Sequence, residues 1–309
     1  MTTSIVVPLD GSPLGATALP IAVSIARRVG TELHLIHVHP QPVALHGAPT
    51  YDLRFDVDME RQMGRELQET AAALRATAGL PVTATLLEGS TEEALLERIA
   101  AERPWLVVMS SHGYGGIQRV WHGSVADALV RHAAVPVLIA PRAGDVPPQR
   151  PTAREPAFRS ILLPLDGSAL AEEIVEFAAA LGEPGHTTFS LLRIVVPTAM
   201  FATPEPAPPP VTADDHEIKR LEREALAQFE RTAFTLKQHG FFAVPRIVVH
   251  SQPAEAILAF AAEHPVDLIA LSTHGHGGFA RAVLGSVADK VMREANVAVL
   301  LHRSARDER

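Results

Sequence analysis

The 309-residue chain has no cysteine. That excludes disulfides, thiolate metal sites and thiol catalysis, and it fits a reducing cytosol. Lysine is scarce: only Lys219, Lys237 and Lys290 occur, so a bound anion must be held by arginines or backbone amides. Basic excess is missing too, because the formal net charge is −8. A nucleic-acid partner would ask for a basic face, so none is expected. No apolar run reaches the roughly 18–20 residues of a membrane span, and Met1-Thr-Thr-Ser-Ile leads into strand-like sequence without a charged leader. A cytoplasmic protein with no membrane association is expected. Also absent are Gly-x4-Gly-Lys-(Ser/Thr), the Gly-x-Ser-x-Gly elbow and the His-Glu-x-x-His helix. No catalytic residue stands out.

What is present is a repeat. Ser4-Ile-Val-Val-Pro-Leu-Asp10-Gly11-Ser12 returns as Ser160-Ile-Leu-Leu-Pro-Leu-Asp166-Gly167-Ser168, an offset of 156. Ser111-His112-Gly113-Tyr-Gly115-Gly116 with Gly123-Ser124-Val-Ala-Asp127 returns as Thr273-His274-Gly275-His-Gly277-Gly278 with Gly285-Ser286-Val-Ala-Asp289, now offset by 162. Solenoid and propeller repeats run to about 20–50 residues, so a repeat of half the chain is a duplicated domain. The expected organisation is a first domain over 1–142, a Pro-rich linker over 143–158 and a second domain over 159–309.

Within each copy, short β-branched runs alternate with amphipathic segments. In copy one, strands are expected near 4–9, 32–38, 82–87, 106–110 and 136–140, and helices near 13–28, 56–77 and 124–132, with a further helix opening at the capping-box pattern Ser90-Thr-Glu-Glu93. In copy two the strands fall near 160–165, 188–196, 244–250, 267–272 and 297–301, with helices near 169–181, 215–238, 253–263 and 286–294. This alternation predicts an α/β fold of two Rossmann-like doubly wound domains, each a parallel sheet covered by helices on both faces. Pro197 to Pro210 carries six prolines and no strand pattern, which predicts a surface loop.

Two Gly-rich segments follow the fourth strands, Gly113-x9-Gly123-Ser124 and Gly275-x9-Gly285-Ser286. Glycines there let the backbone approach a ligand, and the next helix offers unpaired N–H groups and a positive dipole end. Such a device holds phosphate without lysine. The plainer reading makes Ser124 and Ser286 N-caps, with Asp127 and Asp289 completing a capping box. Asp10 and Asp166 end first strands, where open α/β sheets bind ligands; each could accept from a sugar hydroxyl or a base, or help hold a magnesium ion. Asp-Gly-Ser is equally ordinary turn chemistry. Arg119 and Arg281, six residues after the motif glycine, could reach phosphate oxygens or stay solvated. The histidines (His37 and His39, His112, the pair His274 and His276) form no recognisable zinc motif.

Val-Pro-Leu-Asp-Gly-Ser and Ser-x-His-Gly-x9-Gly-Ser-Val-Ala-Asp, closing on Val-Pro-Val-Leu-Ile, resemble the universal stress protein family, twice and over nearly the whole chain. The resemblance implies a five-stranded parallel sheet of order 3-2-1-4-5. It also implies adenine-nucleotide binding, with ATP accompanied by Mg2+. ATP-binding members show Gly-x2-Gly-x9-Gly-(Ser/Thr); here the first glycine is Ser110 in copy one and Ser272 in copy two, while Gly113, Gly123, Gly275 and Gly285 match. By the same resemblance Leu9 and Asp10 face the nucleoside, Val38 the adenine, and Ser124 with Val125 the phosphates. The counterparts are Leu165, Asp166, Val195, Ser286 and Val287.

The implied function is a tandem, ATP-binding stress-response regulator with little turnover. The alternatives are a scaffold without nucleotide and a slow ATPase or nucleotide-activating enzyme. Family members commonly pair through their fifth strands, so a homodimer or an intrachain pseudo-dimer is expected through Pro136–Ala140 and Val297–Leu301. Gly89 against Ser251, after the third strands, makes copy one the expected nucleotide binder. Asp267 in place of Trp105 argues mildly the other way.

Overall fold

The computed structural model describes residues 4–40, 53–110, 123–141, 158–196, 215–273 and 284–303. The chain divides into two units, Met1–Glu155 and Pro156–Arg309. Most of the expected linker and the whole Pro197–Pro210 segment lie outside the described residues. Phe158, at the linker's expected end, is 3% exposed. Its carbonyl accepts from Thr187 Oγ1 at 2.8 Å, so Phe158 belongs to the second unit's core.

The first unit runs β1 (Ile5–Pro8), α1 (Leu19–Val29), β2 (Leu33–His39), α2 (Leu53–Ala78), β3 (Val82–Glu88), α3 (Thr91–Glu102), β4 (Leu106–Ser110), α4 (Ser124–His132) and β5 (Val137–Ala140). The second repeats the order with β6 (Ser160–Pro164), α5 (Ala169–Leu181), β7 (Thr188–Val195), α6 (Asp215–Gln238), β8 (Phe242–Val249), α7 (Pro253–Glu263), β9 (Leu268–Ser272), α8 (Ser286–Glu294) and β10 (Ala298–His302). Within the first unit the strands lie in the order β3-β2-β1-β4-β5, and within the second β8-β7-β6-β9-β10, all parallel. This is the expected 3-2-1-4-5 order in each copy.

The central strands are apolar because helices cover both of their faces. Ile5, Val6 and Val7 are fully buried, as are Ile161, Leu162 and Leu163. At roughly 1.5–3 kcal/mol per buried side chain, these positions fix β1 and β6 at the centre of their sheets. Neighbouring strand order reverses beside them, between β1 and β4 and between β6 and β9, and a doubly wound sheet opens a crevice at that switch point.

Helix starts differ from the sequence reading in detail. The segment expected to open the first helix instead forms a 3-10 turn over Gly15–Ala18, N-capped by Leu14 without a side-chain capping hydrogen bond, while Ser12 Oγ accepts from Gly15 N at 2.8 Å. The α-helix itself begins only at Leu19, with Pro20 in its first turn. Ser90 holds the N-cap position of α3, yet its side chain makes no capping hydrogen bond.

Candidate functional site

The Asp10 carboxylate is built into the turn that leaves β1. Its Oδ1 accepts from Ser12 N at 2.9 Å and from Ser12 Oγ at 2.7 Å. Gly11 between them has φ +77°, a left-handed conformation that glycine adopts without cost. Copy two repeats this turn: Ser168 N donates to Asp166 Oδ1 at 2.9 Å, and Gly167 has φ +91°. Turn chemistry and ligand position are therefore compatible, since the turn fixes a carboxylate at the end of the central strand. Gly15 then passes so close that a Cβ there would collide with Asp10 Oδ1.

A cavity of about 370 Å³ opens at this end of the first sheet. It lies within the size range of small-molecule sites. Of the residues singled out in copy one, Leu9, Asp10, Val38, Ser110, Gly123, Ser124 and Val125 all line it. Gly113 and Arg119 lie outside the described residues, as do Gly275 and Arg281 in copy two. The sequence reading missed Gly15, His37, Met63, Thr91 and Leu95, which also line the cavity. They come from the 3-10 turn, β2, α2 and α3, and no local motif marks them. The signal available for His37 was its place beside Val38, one residue from the strand's end.

The N-terminus of α4 corrects the capping-box reading. Gly123, not Ser124, is the N-cap, and no side chain caps the helix. The first hydrogen bond of the helix is donated by Asp127 N to Gly123 O at 3.2 Å. The amides of Ser124, Val125 and Ala126 thus begin the helix without intrahelical partners, and all three residues line the cavity. Asp127 reaches forward instead of back: Arg131 Nε and Nη2 donate to its two carboxylate oxygens at 2.7 and 3.0 Å. In the second unit α8 is likewise N-capped by Gly285 without a side-chain hydrogen bond, and Arg293 grips Asp289 at 2.8 and 2.7 Å.

Three histidines lie buried along β2. His34 is a satisfied core group, with Nδ1 2.8 Å from Glu102 Oε2 and Nε2 2.8 Å from Thr85 Oγ1. His39 Nε2 meets Asp56 Oδ1 at 2.8 Å. His37 lines the cavity, its Cε1 lying 3.4 Å from where a Cβ on Gly11 would stand. Burial pushes the His37 imidazole below its usual range, against the raising charges of Asp10 and Glu66.

In the second unit Leu165 and Val195 are buried, and Asp166, Ser272 and Gly285 are partly so. Ser286 and Val287 open α8 as Ser124 and Val125 open α4. The register corrects two correspondences. Pro8 pairs with Ile36 and Pro164 with Leu192, so His37 corresponds to Arg193 and Val38 to Ile194, not Val195. Gly89 N donates to His39 O, and His250 N donates to Val195 O, so Gly89 matches His250 instead of Ser251. Counting on to the N-caps Ser90 and Gln252, copy two carries one residue more in this loop. Sequence alignment at a constant offset could not see that shift.

An apolar cavity at the switch point of the first unit, with a fixed carboxylate on one side and an uncapped helix start on the other, is a candidate ligand site in a doubly wound α/β domain; the second unit repeats the fold, the carboxylate turn and the uncapped helix start. Comparison with known proteins agrees in detail. The model of the universal stress protein family matches residues 1–141 and 157–303, and the chain belongs to that family. Among curated relatives, Universal stress protein Rv2005c of Mycobacterium tuberculosis is 26% identical over 307 residues, covering 97% of each chain. Universal stress protein Rv1996 of the same organism is 26% identical over 325 residues, 98% of this chain and 96% of that one. Among solved structures, a universal stress protein from Archaeoglobus fulgidus DSM 4304 matches with a TM-score of 0.68 at 19% identity, covering 100% of this chain and 98% of that chain. That likeness concerns the fold.

Proposed function

We propose that the first unit binds an adenine nucleotide, ATP with Mg2+ carried on its phosphates, and that the chain is a cytoplasmic stress-response regulator with little turnover. The observation that carries this reading is the cavity shared by Asp10 and the start of α4. Its apolar wall, with Val38 and Leu95, suits a base, and the Asp10 carboxylate suits a ribose hydroxyl. The three amides at Ser124, Val125 and Ala126, at the positive end of the helix dipole, suit phosphate oxygens. This matches the chain's shortage of lysine, because the amides supply the anion site. The family resemblance carried by Asp10, Gly123 and Ser124 supports the same assignment. Ser110, standing where ATP-binding members have glycine, keeps a small side chain with a hydroxyl donor at the cavity wall.

The proposal extends to pairing through the fifth strands, as a homodimer or as an intrachain pseudo-dimer. β5 and β10 each end the sheet of their own unit and are apolar along their length. An apolar edge strand is a ready template for pairing.

Two measurements test the reading. Chromatography of the acid-denatured protein looks for co-purified adenine nucleotide, and calorimetry with Mg-ATP looks for binding that Asp10→Ala removes. Absence of nucleotide in the first and of heat in the second would reject nucleotide binding. Light scattering of the purified chain separates the two arrangements: a dimeric mass supports pairing between chains, and a strictly monomeric mass refutes the homodimer and leaves the intrachain pseudo-dimer.

A further inference from the structure

The register of β2 and β7 places Arg193 where the first unit has His37. In each unit the backbone is the same up to that point: Leu9 N donates to Ile36 O at 2.8 Å, and Leu165 N to Leu192 O at 2.9 Å. The next residue differs in size and charge. His37 is an imidazole held toward its neutral form against the turn at Gly11. Arg193 is a guanidinium that turns toward the end of β6, where its Nη1 donates to Leu165 O at 3.3 Å. Burial pushes its ionisation below the usual arginine range, and the Asp166 charge opposes that shift. Arginine stays protonated in proteins, so a permanent cation stands beside Asp166.

We infer that position 37/193 decides which unit takes the nucleotide: His37 admits it to the first, and Arg193 excludes it from the second. The inference rests on the nucleotide reading above and assigns its stoichiometry and a specificity-determining residue. Leu165 and Asp166 are the groups that would meet the nucleoside; Arg193 engages the carbonyl of the first, and its charge is felt by the second. A nucleoside set against the Leu165 carbonyl must then compete with a charge-assisted contact that the first unit lacks at His37. The cation gives no compensating hold on the phosphates. Those belong at the start of α8 beyond β9, whereas the guanidinium is committed to the Leu165 carbonyl at the end of β6.

Calorimetry with Mg-ATP on the full chain tests this. The wild type is expected to bind one nucleotide. Arg193→His and Arg193→Leu are expected to bind a second, with an affinity gain at the second site of about tenfold or more. His37→Arg is expected to lose the first, with its melting curve recorded to exclude unfolding. Two equivalent sites in the wild type, or unchanged stoichiometry in both Arg193 variants, would overturn this inference and leave the nucleotide reading standing. A second site that weakens in Arg193→His would overturn it as well, since arginine would then be a phosphate ligand. No binding in any variant would overturn both readings together.

Discussion

Arg131 holds Asp127 through two hydrogen bonds, one turn apart on α4, beside the helix start proposed above to take phosphate. A carboxylate in the first turn satisfies the helix dipole and would repel phosphate from the same amides. The bidentate guanidinium cancels its charge and draws it along the helix, away from the amides of Ser124 and Val125. The same pairing recurs between Arg293 and Asp289.

Replacing Arg131 with Met should therefore weaken Mg-ATP binding several-fold while changing stability by less than about 1 kcal/mol, the usual scale of partly exposed helical pairs. The side chains are 24% and 33% exposed. Adding Asp127→Asn to Arg131→Met should restore the affinity. Calorimetry on the cycle reads both effects, and a double variant as weak as the single one would show that neutralising Asp127 is not what Arg131 does.

Gly15→Ala is expected to disturb the site directly. The new Cβ would overlap Asp10 Oδ1, which Ser12 already holds from two directions. Either the carboxylate leaves its turn or the 3-10 segment shifts. Overpacking of this kind costs roughly 1–3 kcal/mol. A lowered melting temperature together with lost nucleotide affinity is expected. An unchanged affinity would show that the position of Asp10 does not matter.

Most of the fold was legible because each copy carries its own period: buried apolar runs such as Ile5–Val7 alternate with amphipathic helices, and the duplication supplies a second reading of every element. The site was half legible. Asp10, Ser110 and Gly123–Val125 announce themselves by motif, and the cavity gathers them. Gly15, Met63 and Leu95 do not, because their proximity is created by packing across distant segments. Cap assignment failed for a local reason. A Ser three residues before an Asp fits a capping box in sequence, but a competing arginine at i+4 captured the acid in both copies. The Gly89 counterpart failed because the one extra residue between β8 and α7 is invisible until strand registers fix it, whereas the constant offset of 156 already leads from Val38 to Ile194.

The two N-cap glycines, alike in sequence, should respond differently to alanine. Both have ordinary φ, −55° at Gly123 and −59° at Gly285, so alanine strains neither backbone. Among the described residues a Cβ on Gly123 meets nothing within 4 Å, whereas one on Gly285 stands 3.0 Å from Thr273 O. Gly285→Ala is expected to cost about 1 kcal/mol or more. Gly123→Ala should stay within about 0.5 kcal/mol, the scale of a surface substitution. Denaturant titration of each variant compares them, and equal costs would contradict the asymmetry.

A stabilising substitution is expected at the end of α3. Arg103 has φ 48° and donates its N–H to Ile99 O at 2.9 Å, a left-handed helix terminus built on a non-glycine residue. That conformation costs an L-residue about 1–2 kcal/mol, and glycine removes it at an entropic cost of roughly 0.5–1 kcal/mol. Arg103→Gly should raise the melting temperature slightly. A lower one would mean that the Arg103 side chain contributes more than its backbone conformation costs.

Stability should fall with acid because two imidazoles are held neutral by burial. His37 and His302 both lie below the ordinary histidine value of 6.5, with burial the larger cause in each. For His302 the Glu173 carboxylate, 3.7 Å away, opposes that shift. The His302 ring also leans on Phe177 at 4.5 Å. A base with a depressed folded pKa binds its proton in the unfolded chain first, so the unfolded state holds more protons between the two pKa values. Nothing is lost above about pH 7.5, where both states are neutral. As pH falls through 6.5 toward the folded value, each proton taken up on unfolding draws the equilibrium that way. The wild type should therefore melt at a lower temperature at pH 5.5 than at pH 7.5. His302→Asn, distant in sequence from the nucleotide motifs, should shrink that difference, and His37→Asn should shrink it independently. Melting curves at the two pH values check this. Equal pH dependence in the wild type and the double variant would assign acid sensitivity to other groups.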